Sequence, residues 1–183
     1  MHYLAKRPPL LLPPGFWFDG AAGYTRQKQP CHCETIPLDA VGLVQIGTKG
    51  IDRWELIQYT VFASESDARK VMLGANADKP TFSVWRLKQL NNQSLPDAKI
   101  VARHITGYRL GVIVEARAHR HPPPSWHDTG LTEVDTLIGN VIVNVTTPSR
   151  STNQDHGDRV SALLLLHAAV AHLKRAQHAF LTG

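Results

Sequence analysis

The stretch from Leu131 to Leu181 constrains the fold more than any other part of the chain. Val141, Val143 and Val145 alternate with Ile142, Asn144 and Thr146, so one face of this strand is purely apolar. Gly139-Asn140 supplies a two-residue turn with positive φ, and Leu131–Thr147 therefore reads as a β-hairpin. A polar loop over Pro148–Gly157 leads into a helix from about Asp158 to Phe180, capped by Asp155 or Asp158. Its run ALLLLHAAVAHL is apolar nearly all round. Such a helix is buried between layers, or a partner covers one side of it. Lys174, Arg175 and His178 carry the charge that suits a helix C-terminus.

An earlier stretch, Val41 to Leu73, has the same order of strand then helix. Leu43–Ile46 reads as a short strand, Gly47-Thr48-Lys49-Gly50 as a turn, and Trp54–Val61 as a β-branched and aromatic strand. Ser64 with Asp67 three residues on is an N-cap with an acid at N3. Ala68, Val71 and Met72 form the stripe of a short helix that ends at Gly74. Ile100–Ala118 holds one or two strands, with Gly107 as a break. His119–Gly130 (HRHPPPSWHDTG) must be a loop, because three consecutive prolines cannot sit in a ladder.

The resulting prediction is an α+β fold. An antiparallel sheet of five or six strands carries a long C-terminal helix on one face and a shorter helix nearby. Residues 1–30, broken by six prolines and glycines from Pro8 to Gly20, read as an extended arm anchored by Phe16, Trp17 and Phe18; residues 31–183 read as a single domain. An apolar fraction of 43% over 183 residues supports a core that needs no disulfide or metal. The net charge of +5 is spread over scattered pairs such as Arg86/Lys88 and Arg117/Arg120. No basic stripe interleaved with aromatics is present, so no sequence-specific nucleic-acid partner is predicted.

No segment approaches the ~20 apolar residues of a membrane span, so no transmembrane segment is predicted. The only apolar run near the start, Leu10–Leu12, is flanked by prolines and too short for a signal peptide. The expected compartment is the cytoplasm, or the cell envelope if a leader has been removed.

Four sets of residues could carry chemistry. Cys31-His32-Cys33 with His119, His121 and His127 offers metal ligands, but the paired CxxC or HxxxH spacing of a zinc site is missing. The reading is no metal and no cofactor, with metal binding held as an alternative. His104-Ile105-Thr106 and His127-Asp128-Thr129 resemble the paired His-x-Thr motifs of 2H phosphoesterases, in which one histidine acts as base and the other as acid. The two lie closer in sequence than the two lobes of that family require, and Asp128 replaces an apolar middle residue. Cys31 or Cys33 paired with a histidine lacks any local signature of a nucleophile. The fourth set is the loop itself: His119, His121, Trp126 and His127 are the candidate binding residues, and no catalytic residue is assigned.

The segments LIGNVIVNVT, DRVSALLLLHAAVAHLKRA, YTVFASESDARKVM and PPGF together resemble a group of actinobacterial cell-envelope domains. The group includes mycobacterial lipoproteins and the extracytoplasmic sensor domain of a mycobacterial serine/threonine kinase. The resemblance implies an antiparallel sheet flanked by helices, a concave ligand-binding face and no catalysis. It carries over no functional residue, and the CxC pair departs from the disulfides of the kinase sensor. The function expected is a non-enzymatic ligand-binding, assembly or accessory module, acting through a sheet face and the His/Trp/Pro loop. Its partners would be a protein or a second copy of the chain, with a small ligand possible. The competing reading is a hydrolase using His104 and His127.

Overall fold

A computed structural model describes residues 10–25, 40–49, 54–73, 99–117, 130–149 and 155–182. Seven strands form one open antiparallel sheet: β1 (Trp17–Thr25), β2 (Ala40–Lys49), β3 (Trp54–Phe62), β4 (Lys99–Ala102), β5 (Gly111–Arg117), β6 (Gly130–Ile138) and β7 (Val141–Ser149). Their spatial order is β1-β2-β3-β7-β6-β5-β4. Two meanders, one of three strands and one of four, are thus joined by the pairing of β3 with β7. Helix α1 (Glu65–Leu73) follows β3, and helix α2 (Asp155–Thr182) follows β7. The two strand–helix units of the sequence are therefore spatial neighbours, and their helices cover opposite faces of the sheet.

Among the described residues the strand count is seven, not five or six. The additional pairing comes from Trp17–Thr25, which forms a full ladder with β2 inside the segment expected to be an extended arm. Phe16 packs against the core, whereas Trp17 and Phe18 are exposed. The expected turn at Gly47-Thr48 is strand instead: β2 runs on to Lys49, where it meets Trp54 in register. Likewise β7 continues through Pro148 to Ser149. The proline is tolerated because the β3–β7 register ends at Thr146, so no central ladder is interrupted.

The local signals explain the rest. Gly139 has φ of 56° and Asn140 does not share that conformation, which fits a two-residue hairpin turn with glycine first. The Asn140 side chain donates to the Phe62 carbonyl (2.6 Å), and the Phe62 amide donates to the Asn140 carbonyl (2.9 Å). The hairpin tip is thereby stitched to the end of β3. Ser64 caps α1: its Oγ accepts from the Asp67 amide (3.1 Å) and donates to the Asp67 carboxylate (2.6 Å).

The core lies between the sheet and α2. Val44, Ile46, Ile57, Tyr59, Ile113, Val134, Val141, Val143 and Val145 face Ala162, Leu165, Leu166, Ala169, Val170, Leu173 and Ala176. These helix positions recur every three or four residues, so they form one stripe. Full burial of each leucine contributes roughly 1.5–3 kcal/mol. Only one side of the helix is used in this way, since Val160 and Leu164 remain exposed. Helix α2 also extends beyond its expected end, so no basic residue falls in its last turn. At one edge of the core, Gly111 lets Ile105 approach closely: a Cβ there would lie 2.7 Å from Ile105 Cγ1.

Candidate functional site

Alternation in four adjacent strands brings a row of polar side chains onto the face opposite α2. Gln45 of β2 pairs with Gln58 of β3, Gln58 with Asn144 of β7, and Asn144 with Asp135 of β6. Thr60, Thr146 and Glu133 lie two residues along the same strands and so share the face. Except for the half-buried Gln45, all of these side chains are buried.

Two hydrogen-bonded groups make up the row. Gln45 Nε2 donates to Gln58 Oε1 (3.3 Å), and Gln58 Nε2 donates to Thr60 Oγ1 (3.1 Å). Asn144 Nδ2 donates to both Glu133 Oε1 and Asp135 Oδ1, and Thr146 Oγ1 donates to Asn144 Oδ1 (3.2 Å). One amide thus orients two carboxylates. Two acids held side by side in a buried place carry a desolvation cost that an apolar packing would avoid. The chemistry on offer is acceptance of hydrogen bonds and complementarity to positive charge.

The other face holds two tyrosine–histidine pairs. Tyr59 OH lies 2.9 Å from His172 Nδ1 and donates to the Ala169 carbonyl at 3.1 Å, all of it buried under α2. Burial pushes the Tyr59 phenol far above its ordinary range, with the Arg175 charge pulling weakly the other way. A phenol held neutral in this manner is a structural hydrogen-bonding group rather than a base or nucleophile at neutral pH. Nearer the surface, Tyr108 OH lies 2.6 Å from His167 Nδ1, with the rings stacked at 5.4 Å. Partial burial raises the Tyr108 phenol as well.

No protein-family model matches the chain, and no curated protein matches it. Among the solved structures to which the chain is similar is the extracellular domain of PknH from Mycobacterium tuberculosis, at a TM-score of 0.46 and 10% identity, over 90% of this chain and 86% of that one.

His119, His121, Trp126 and His127 lie outside the described residues, as do Cys31 and Cys33. His104 is exposed in the loop after β4, and its proposed partner His127 is among those not described. Among the described residues, no group of three or more His, Cys, Asp or Glu side chains is arranged to hold a metal. The polar row was missed because its members come from strands far apart in sequence. A signal did exist: Glu133 and Asp135, two apart in a strand, must share one face, and Asn144 and Thr146 repeat that spacing across the hairpin.

Proposed function

We propose that this protein is a non-enzymatic binding module, and that the sheet face opposite α2 supplies its recognition surface. The observation that supports this is the row Gln45–Gln58–Asn144–Asp135, with Glu133 beside it. Proteins retain buried polar clusters against their stability chiefly where function needs them. The ligand class that fits is rich in hydrogen-bond donors and cationic or neutral, because the two oriented carboxylates accept and repel anions. Since the row is buried, a ligand reaches it through local opening of the face. The loop carrying His119, His121, Trp126 and His127 joins β5 to β6 just ahead of Glu133, and in this proposal it contributes contacts at that end.

The test is a thermal-shift screen of the whole chain against primary amines, guanidines, amino acids and neutral polyols. A ligand of the expected class raises the melting temperature, and the increase disappears in Asn144→Leu but persists in the surface variant Lys70→Gln. If no compound in the panel shifts the transition, or hits are anions indifferent to Asn144→Leu, the proposal fails.

A further inference from the structure

The outer side of α2 and the loop before β5 form a surface with an unusual balance of charge. From Arg159 to Thr182 the helix contains Arg159, Lys174 and Arg175, and no aspartate or glutamate. The segment from Lys99 to Leu110 contains Lys99, Arg103 and Arg109, and again no acid. The acids of the helix, Asp155 and Asp158, are confined to its start. Glu115, the acid beneath it, is held by Arg159. Loop and helix are fixed together by the Tyr108–His167 stack and by Ile105, which is buried in the core under α2.

The same surface exposes large apolar groups. Val160, Leu164, His167, Ala171, Lys174, His178 and Leu181 follow one another at steps of four and three residues, so they lie on one side of the helix. All seven are exposed, with Val160 and Leu164 at 44% and 46%, and Leu181 at 82%. Phe180, beside Leu181, is 78% exposed. The stripe is roughly 32 Å long by helical rise. Lys174 is an exposed cation on it, and Arg103 and Arg109 are exposed on the loop that Tyr108 ties to it at His167. No helix among the described residues is long and apolar enough to cross a membrane, so α2 can lie on a bilayer but not span it.

We propose that this surface docks onto an anionic lipid bilayer. Lys174, Arg103 and Arg109 face the headgroups, and Leu164, Phe180 and Leu181 enter the boundary with the acyl chains. Charge complementarity selects an anionic partner. The apolar stripe ending in Phe180 and Leu181 favours a bilayer over a soluble polyanion, which offers these side chains nowhere to be buried. This surface is separate from the polar row, which lies on the other side of the sheet.

The test is flotation of the full chain with phosphatidylcholine vesicles, with and without phosphatidylglycerol. The protein floats only with the phosphatidylglycerol vesicles, and added salt weakens the association. Combining Arg103→Gln, Arg109→Gln and Lys174→Gln lowers the partition coefficient roughly a hundredfold. Combining Leu164→Ser, Phe180→Ser and Leu181→Ser lowers it about tenfold or more at unchanged charge. Ala171→Lys, an exposed and helix-compatible change, raises it about fivefold and gives a gain that unfolding cannot imitate. Equal flotation with both vesicle types, no flotation, or indifference to both the glutamine set and Ala171→Lys overturns the proposal. So does equal affinity for a single-stranded oligonucleotide that ignores the serine substitutions, which would mark a polyanion site instead.

Discussion

The two faces of this sheet are made by alternate residues of the same strands, yet their centres are filled differently. Toward α2, the centre of the sheet is valine, isoleucine and one tyrosine whose hydroxyl is satisfied by His172 and Ala169. Toward the other side, apolar packing is concentrated where α1 sits, around Phe62, Met72, Val112 and Ile142. Beside it lie Asn144, Asp135 and Glu133, buried and joined by the Asn144 amide, and Gln58, bonded to Gln45 and Thr60. At the centre of the sheet the strands thus pack apolar groups toward α2 and place polar groups on the other side, while Glu55 and Glu115 are buried on the α2 face away from that centre. If the contrast is functional, the helix-covered face should be sensitive to small losses of volume. The polar face should tolerate loss of its polarity.

The helix-covered face offers the largest effect. Leu166→Ala, at a fully buried position, is expected to cost about 2–5 kcal/mol by urea unfolding, because the rigid contacts of β6 and β7 cannot collapse into the space. A cost below about 1 kcal/mol would show that this face is loosely packed and would erase the contrast.

Tyr59→Phe sharpens it further. Loss of the hydroxyl leaves His172 and the Ala169 carbonyl without that partner, at a cost of about 1–3 kcal/mol. The change also alters the response to alkali. The folded phenol is raised above its unfolded value, so its contribution is complete below about pH 10 and declines as pH rises beyond that. The wild type should therefore lose stability above about pH 10 through this group, and Tyr59→Phe should lose less. Parallel pH curves for the two proteins would count against a buried neutral phenol.

Ser64→Ala is smaller. Removing the cap of α1 should cost about 1 kcal/mol and loosen only the end of the polar side that α1 covers. Hydrogen exchange should quicken in α1 while β6 and β7 beneath α2 stay protected. Equal acceleration throughout would mean that α1 and α2 stabilise one unit and not two different faces.

What was legible in the sequence depended on range. The Gly139-Asn140 turn and the Ser64–Asp67 cap are contained within a few residues, and both form as expected. Strand β1 was not legible: WFDGAAGYT is rich in glycine and alanine, has little strand propensity of its own, and is ordered by pairing with β2. The end of β2 was misread because Gly47-Thr48-Lys49 has turn chemistry, which the ladder to β3 overrides. The polar row required knowing that β3 lies beside β7, a contact between residues more than eighty apart that no local pattern encodes. The apolar excess of α2 was visible, and the structure divides it between a buried stripe and an exposed one.

The central claim is that the polar row serves binding and not folding, and one measurement addresses it without knowledge of the ligand. Replacing the bonded group together, Glu133→Met, Asp135→Leu and Asn144→Leu, removes the polarity while keeping similar volume. Equilibrium urea unfolding should then show a protein as stable as the wild type or up to about 4 kcal/mol more stable, since the buried carboxylates no longer need to be desolvated. A loss of about 3 kcal/mol or more would contradict the account, because it would make the row a structural element of the sheet.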